Sequence, residues 1–346
     1  MPDNPQVIIS GFADEAANHK SAVEQLAAMS AIGLKHYTPR FVDVLGNGTV
    51  EHVVDLDQAK LDHLKALHAE YGMSVTSIGS RIGKVKLRDV DDGTHNKFVP
   101  IDQYVEKDVR QTIAVAHALG TKLIRGFAFY HPRTDDPAKH YDQAAENLAK
   151  IVSLCAKEDV VFGLEVESNL IGYDGQSLAA LAQRVGKPNM VLVFDGGNIA
   201  YQGYNPLEVF EEYRAMLPYL GWMHIKDYQR PANKVKGSGP FDEDADWFFV
   251  PPNIGDAGHE YIFRDLRKEL PALEKRLAKL GIPGLFLDME PHVKSGGQFG
   301  GFSGPDGMGV AVRALCSLLD YCGIGYKLRT FDDVVASRGP VTIEPH

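Results

Sequence analysis

Short apolar runs alternate along the chain with segments in which apolar side chains recur at helical spacing. In the first helical segment, Ala22, Leu26 and Met29 share one face, and Gly33 follows as a stop signal. The apolar runs predict strands at residues 7–12, 34–37, 73–78, 121–127, 160–166, 190–194, 220–225 and 284–289. The helical spacing predicts helices at residues 19–32, 57–71, 104–119, 141–156, 176–185, 206–216, 261–280 and 310–321.

The order of these elements predicts the class of fold. Eight units of a strand followed by a helix imply a parallel α/β sheet, and they fit one closed (β/α)8 TIM barrel over residues 1–346. An open doubly wound sheet is the alternative, but residues 11–15 are not the glycine-rich first turn that it requires. Long irregular segments at residues 83–101, 229–259 and 291–309 follow predicted strands, so we expect them at the C-terminal face, where barrel enzymes bind substrate.

Composition and charge narrow the class of protein. Of 346 residues, 44% are hydrophobic and 24% charged, as in an ordinary globular enzyme, and no apolar run is long enough for a membrane span. The net charge of −10 argues against nucleic acid or an anionic membrane as a partner. Cys155, Cys316 and Cys322 are too few for a disulfide framework. Because the N-terminus lacks a basic start and an apolar signal core, we expect a cytoplasmic enzyme that acts on a small molecule.

Titratable side chains stand at the carboxyl ends of four consecutive predicted strands. Strands five to eight end with Glu165 and Glu167, with Asp195, with His224 and Asp227, and with Asp288, Glu290 and His292. One carboxylate alone would be an ordinary polar residue at a strand end. Burying an unpaired charge costs free energy, so titratable side chains at the ends of four consecutive buried strands favour a functional site. Carboxylates with one imidazole suit a divalent cation that keeps open positions. We expect Mn²⁺, with Mg²⁺, Co²⁺ or Zn²⁺ as alternatives.

Six short motifs carry a resemblance to a known superfamily. They are residues 78–84 (IGSRIGK), 124–130 (IRGFAFY), 164–167 (LEVE), 194–198 (FDGGN), 224–227 (HIKD) and 290–292 (EPH). With them the chain resembles, over nearly its whole length, the xylose-isomerase-like TIM-barrel superfamily, which includes sugar isomerases, epimerases and endonuclease-IV-type proteins. The resemblance implies that the metal ligands are Glu165, Asp195, His224 and Glu290. It also implies that Glu165 and Glu290 form the acid/base pair of an epimerase.

Two features of these motifs leave the substrate and one ligand open. Asn198 stands where many epimerases of the superfamily have a histidine that contacts the substrate. Glu165 and Glu167 point to the same face of a strand because side chains alternate, so either could be the ligand. Glu165 matches the spacing of the superfamily better, and Glu167 would then contact substrate.

Further candidates lie in the segments after the predicted strands. His131 could be a general acid or base, or an ordinary loop histidine. Arg230 holds the place of a substrate-binding arginine in related epimerases, and Asp227 could contact substrate or cap a loop. The predicted substrate contacts are Lys84, Glu167, Asn198, Asp227, Arg230 and His292. Phe299 and Phe302, in a glycine-rich segment, could cover a sugar as a lid.

Together these residues predict a divalent-metal-dependent isomerase or epimerase that acts on a keto-sugar or related carbohydrate through an enediolate. The alternative is metal-dependent β-elimination on 3-oxo-glycosides, as in the large subunits of C-glycoside deglycosidases, which work with a small partner chain. The negative charge disfavours an endonuclease-IV-like phosphodiesterase, and the complete ligand set disfavours a non-catalytic barrel. We expect a sugar substrate and a homo-oligomer, with a small partner subunit as the alternative, and neither nucleic acid nor a membrane as a partner.

Overall fold

A computed structural model describes residues 5–232, 236, 248–293 and 304–338 of the chain. We label the strands of the central barrel in chain order: β1 (Ile8–Gly11), β2 (His36–Tyr37), β3 (Ile78–Ile82), β4 (Leu123–Gly126), β5 (Val161–Glu165), β6 (Met190–Asp195), β7 (Leu220–Ile225) and β8 (Phe286–Met289). Two short antiparallel pairs lie outside this sheet, Phe41–Val42 with Glu51–His52 and Asp227–Tyr228 with Phe249–Val250.

The barrel strands are parallel and follow one another around a closed ring. Hydrogen bonds join seven of them in the order β1–β8–β7–β6–β5–β4–β3. β2 lies between the two ends of this sheet, because the Thr38 N–H donates to the Gly11 carbonyl (2.9 Å) and β2 pairs in parallel with Ser74–Val75, just ahead of β3. The predicted (β/α)8 barrel is therefore confirmed.

Helices pack against these strands in the predicted alternation. They are Ala22–Ala31, Gln58–Tyr71, Ile101–Tyr104 with a π-helical turn at Val105–Val109 leading into Arg110–Ala118, Tyr141–Lys157, Gly175–Val185, Gly196–Tyr201, Pro206–Met216, His259–Lys279, Gly304–Cys322 and Phe331–Ser337. The face of Ala22, Leu26 and Met29 is buried, as its spacing predicts. Within the described part of the chain, no helix is both long and apolar enough to cross a bilayer.

Two predicted boundaries differ most from the structure, and each lies in a segment that contains glycine. The third strand runs over Ile78–Ile82 rather than 73–78, and Gly79 lies inside it. A Cβ at Gly79 would lie 3.0 Å from the Phe12 ring and from the Pro39 carbonyl, so this glycine permits a close approach and does not make a turn. The last barrel helix begins at Gly304 rather than 310, although its first turns are rich in glycine. The predicted lid residues Phe299 and Phe302 lie outside the described residues.

His68 gives the fold a pH dependence. Its side chain is buried against Tyr37, whose hydroxyl lies 2.5 Å from Nε2. Burial lowers the pKa of His68 to about 4, whereas in the unfolded chain we expect about 6.5. Between these values the unfolded chain binds a proton that the folded protein does not. The free energy of unfolding should therefore fall as the pH drops from 6.5 toward 4, by up to about 1.4 kcal/mol per pH unit from this residue.

Urea unfolding of the wild type and of His68→Gln between pH 4.5 and 8 measures this contribution. The difference in unfolding free energy between the two proteins should shrink at acidic pH and stay constant above about pH 6.5. His63→Gln is the matched control, because His63 lies on the exposed side of the same helix. A constant difference across the whole pH range would contradict the assignment.

Candidate active site and metal centre

Four metal-capable side chains meet at the carboxyl ends of neighbouring strands. Glu165 ends β5, Asp195 ends β6, His224 lies in β7 and Glu290 follows β8. In the parallel register, His224 pairs with Asp195 on one side and with Asp288 on the other, so these strand ends lie level. One ligand atom from each of the four residues lies within 4.8 Å of the others, and all four residues are buried. The structure thus brings together the metal ligands that the sequence predicts, and we call these four residues the cluster.

Arginines outside the cluster orient its two glutamates. Arg125, in β4, donates to Glu165 Oε2 (2.7 Å), and Arg40 donates to Glu290 Oε1 (2.5 Å). The second oxygen of each carboxylate faces His224, whose Nδ1 lies 2.9 Å from Glu165 Oε1 and 3.5 Å from Glu290 Oε2. Each glutamate therefore has an outer oxygen held by an arginine and an inner oxygen directed into the cluster.

Asp195 also has one outer oxygen held by a hydrogen bond and one inner oxygen directed into the cluster. Oδ1 accepts the N–H of Asn198 (2.9 Å), so Asp195 is the N-cap of helix Gly196–Tyr201. Oδ2 lies 3.0 Å from Nζ of Lys226, which also donates to Glu290 Oε2 (3.1 Å). The buried Lys226 ammonium thus bridges the inner oxygens of two cluster carboxylates.

Opposite charges keep the glutamates ionised despite their burial. Burial raises the pKa of Glu165, but the positive charges of His224 and Arg125 outweigh it and lower this pKa to about 2. Burial is outweighed at Glu290 as well, where Lys226 and His224 hold the pKa well below its usual range. In return, the two glutamates raise the pKa of His224 to about 10 against the effect of burial. Both glutamates are therefore carboxylates at neutral pH, as a proton acceptor must be.

The donor set fits an oxygen-preferring divalent cation. Three carboxylates and one imidazole converge, which suits Mn²⁺ or Mg²⁺ with positions left for other oxygen ligands. Burial raises the pKa of Asp195 to about 6 even though Lys226 lowers it, so the ionised form of Asp195 lacks full charge compensation. A divalent cation held by Glu165, Asp195, His224 and Glu290 would supply that compensation.

Glu15 adjoins the cluster but already has Arg40 and His292 as partners. Its Oε1 lies 2.9 Å from Arg40 NH2 and 2.8 Å from His292 Nδ1, and its Oε2 accepts the His292 N–H (2.9 Å). Burial raises the pKa of Glu15, but His292 and Arg40 lower it to about 2. Glu15, Glu290 and His292 are close enough to hold a metal. The ion pairs instead make Glu15 a support for the wall of the site.

A cavity of about 330 Å³ lies against the cluster. Glu165 and Glu290 line it, whereas Asp195 and His224 are fully buried behind its surface. Four of the predicted substrate contacts also line it, namely Lys84, Glu167, Asn198 and His292. Further lining groups are Arg40, Arg81, Arg125, Lys226, Phe127, Tyr201 and Phe249. Two of the four cluster residues can therefore reach a molecule in the cavity directly.

Besides Asp195 and His224, three further predicted site residues do not line this cavity. Asp227 holds a loop instead, since its carboxylate accepts the backbone N–H groups of Tyr228, Gly255 and Ala257. NH1 of Arg230 donates to the Gly203 carbonyl (3.0 Å), and Nδ1 of His131 lies 2.9 Å from the Pro132 carbonyl. Asp227 thus takes the loop-capping alternative. The arrangement gives no support to substrate contact by Arg230 or to proton transfer by His131.

The structure also distinguishes the two glutamates at the end of β5. Glu165 is buried in the cluster, whereas Glu167 is half-buried at the edge of the cavity and accepts a hydrogen bond from Lys84 Nζ (2.8 Å). β5 ends at Glu165, so the strict alternation of side chains stops before Glu167. Of the two, Glu165 is the one placed to bind a metal.

Three cations of the site, Arg40, Arg125 and Lys226, are absent from the sequence-based prediction. Arg125 interrupts the apolar run of the fourth predicted strand, and Lys226 follows His224 by two residues at the end of β7. A charge inside a buried apolar run, or directly after one, is a signal that could have identified both. Arg40 offers no such signal, because its partner Glu290 lies 250 residues away along the chain.

Comparisons with solved structures agree with this fold. A xylose isomerase-like TIM barrel protein from Mycobacterium smegmatis in complex with magnesium is 17% identical with a TM-score of 0.58, covering 92% of this chain and 96% of that chain. D-allulose 3-epimerase from Methylomonas sp. is 15% identical with a TM-score of 0.59, covering 91% and 99%. The IolI protein with a zinc atom is 13% identical with a TM-score of 0.61, again covering 91% and 99%.

At these identities the structural similarity shows the fold alone. No curated protein matches the sequence. The family model described as xylose isomerase-like TIM barrel matches residues 30–315, which is most of the chain. On that match, the protein belongs to the xylose isomerase-like TIM barrel family.

Proposed function

We propose that the protein is a divalent-metal-dependent isomerase or epimerase of a keto-sugar or related carbohydrate. The observation that carries the proposal is the placement of Glu165 and Glu290, the two cluster residues that line the cavity. Glu165 ends β5, and Glu290 follows β8, three positions away in the sheet. Two carboxylates can thus approach one carbon from different sides. Such a pair suits removal of a proton from one face and its return to the other.

The chain's own residues supply the proton transfer and its geometry. When bound, a divalent cation would polarise a carbonyl oxygen and favour negative charge on it, which makes the neighbouring C–H more acidic. Glu165 and Glu290 accept and return the proton. Arg125 and Arg40 hold their outer oxygens and so keep the carboxylates in place while the proton moves. The other two cluster residues, Asp195 and His224, would hold the cation from behind the cavity surface.

The rest of the cavity suits a small polyol. Lys84, Glu167, Asn198 and His292 offer hydrogen-bond donors and acceptors for hydroxyl groups, and the Phe249 ring offers an apolar surface for C–H groups. A volume of about 330 Å³ is near the lower end of the range for ligand pockets, which favours a monosaccharide over an oligosaccharide.

Three similar structures support the choice of reaction and metal. One is named as a D-allulose 3-epimerase, and others contain magnesium or zinc. For this chain we propose Mn²⁺, because three of the four cluster donors are carboxylates. Mg²⁺, Co²⁺ and Zn²⁺ are the alternatives.

Turnover in D₂O tests the proposal. The full chain is incubated with Mn²⁺ and a panel of ketohexoses and ketopentoses, and products are followed by NMR and mass spectrometry. We expect at least one sugar to gain one deuterium at the carbon beside the carbonyl while it converts to an isomer or epimer, because the proton taken by a carboxylate exchanges with solvent. Removal of metal with EDTA should stop the incorporation, and added Mn²⁺ should restore it.

Glu167→Gln provides a matched control for Glu165→Gln. The two residues carry the same charge at the end of the same strand, but Glu167 lies outside the cluster. Glu167→Gln should keep metal-dependent exchange and change mainly KM, whereas Glu165→Gln should lose conversion. Absence of deuterium from every sugar in a metal-loaded sample would contradict the proposed function. An unsaturated product would instead assign the site to β-elimination.

A further inference from the structure

Lys226 occupies an unusual position for a lysine, because its ammonium lies inside the cluster of acidic side chains. The residue is 4% exposed, and Nζ lies 3.0 Å from Asp195 Oδ2 and 3.1 Å from Glu290 Oε2. The fold makes room for it at Gly197, where a Cβ would lie 2.7 Å from Lys226 Cγ. A side chain at position 197 would displace the lysine, so the placement of the ammonium is a built feature of the site.

The oxygens that Lys226 holds are the inner oxygens of the cluster. The outer oxygens already have partners, since Asp195 Oδ1 accepts from Asn198 and Glu290 Oε1 accepts from Arg40. A divalent cation placed among the four ligand atoms would therefore use Asp195 and Glu290 through the same oxygens as the ammonium. A divalent cation there and the Lys226 ammonium would also repel each other, because buried charges are screened weakly.

We propose that Lys226 competes with the divalent metal for Asp195 and Glu290, and so sets how tightly the protein holds its metal. The inference rests on the metal centre of the proposed function. Before metal binds, the ammonium compensates two buried carboxylates that would otherwise repel each other. When metal binds, the ammonium gives up these oxygens. Because Lys226 lines the cavity, its charge then lies beside the substrate site. The protein thus has a readily exchangeable metal and a site that stays ordered without it.

Metal affinity of Lys226→Met tests the inference. Wild type and variant are stripped with EDTA, dialysed and titrated with Mn²⁺ by calorimetry and by the EPR signal of free Mn²⁺. We expect the dissociation constant for Mn²⁺ to fall at least about tenfold in Lys226→Met, because both competition and repulsion are removed. Lys84→Met is the matched control, since Lys84 also lines the cavity but pairs with Glu167 outside the cluster. It should bind Mn²⁺ within about twofold of wild type.

A stability measurement gives a second readout of the same competition. In EDTA, Lys226→Met should unfold at a lower temperature than wild type, because Asp195 and Glu290 lose their internal cation. Saturating Mn²⁺ should raise the Tm of the variant more than that of wild type. If Lys226→Met fails to fold without metal, Lys226→Gln keeps a hydrogen-bond donor, one bond shorter and without the charge, and should show the same tighter binding.

The outcomes separate this inference from the proposed function. Wild-type binding of Mn²⁺ with unchanged or weaker binding by Lys226→Met and Lys226→Gln would overturn the competition and leave the metal centre standing. Failure of wild type and both variants to bind any of Mn²⁺, Mg²⁺, Co²⁺ or Zn²⁺ would overturn the metal centre and the inference together. Tighter binding by both variants, with Lys84→Met like wild type, supports the competition.

Discussion

Replacing Asp195 with asparagine is expected to lower the affinity for divalent metal by at least about a hundredfold and to abolish turnover. Asp195 directs Oδ2 into the cluster and contributes a negative charge there, which asparagine cannot supply. The asparagine side-chain oxygen can still accept the Asn198 N–H and cap helix Gly196–Tyr201, because a neutral acceptor suffices at an N-cap. The substitution therefore removes the ligand charge and keeps the local backbone.

Elemental analysis and Mn²⁺ titration measure this effect, and Asp227→Asn is its control. Asp227 is also a buried carboxylate just beyond the end of β7, but it binds the backbone N–H groups of a loop rather than the cluster. Asp227→Asn should keep its metal and lower the Tm. An Asp195→Asn protein that holds as much Mn²⁺ as wild type would contradict the assignment of the cluster as the metal centre.

The fold was predictable because the strand and the helix of each barrel unit have local sequence signals, such as apolar runs and helix caps. The helix Pro206–Met216 has the predicted bounds, since Asn205 forms a capping box with Glu208 and Pro206 fits the first turn. The strand Leu220–Ile225 has the predicted bounds as well, because it is buried along its whole length. The boundary of β3 was not predictable in this way. From the sequence, the glycine at position 79 suggests a turn. In the structure it is required because Phe12 and Pro39, which are distant in the chain, pack closely against it.

In the candidate site, too, features set by nearby sequence could be predicted, whereas contacts between residues distant in the chain could not. The cluster residues lie at or just after the carboxyl ends of buried strands, so their common location at one end of the barrel could be predicted from strand order. The cations that orient them depend on pairs such as Arg40 with Glu290 and Arg125 with Glu165, which only the closed barrel brings together. For Asp227, the position in the sequence suggests a role that the structure does not support. Its position at a strand end suggests a substrate contact, but its side chain points to the amides of its own loop.

The second large effect concerns the two proposed proton carriers. Glu165→Gln and Glu290→Gln are each expected to lower net epimerisation by about a hundred- to ten-thousandfold, which is the usual contribution of a general acid or base. Both substitutions also weaken metal binding, because both residues belong to the cluster. Rates are therefore compared at saturating Mn²⁺, with metal content measured in the same samples. Glu167→Gln again serves as the control with the same chemical change outside the cluster.

The pattern of solvent exchange separates proton transfer from metal binding. If Glu165 and Glu290 act on opposite faces of one carbon, each removes the proton of a different epimer. A variant without one base should then still exchange deuterium into the epimer served by the other, although it interconverts them slowly. Glu165→Gln and Glu290→Gln should therefore show complementary exchange, each with one epimer of the pair. A defect in metal binding alone would instead reduce exchange into both epimers equally. Equal loss at saturating Mn²⁺, or full conversion by both variants, would contradict the two-base mechanism.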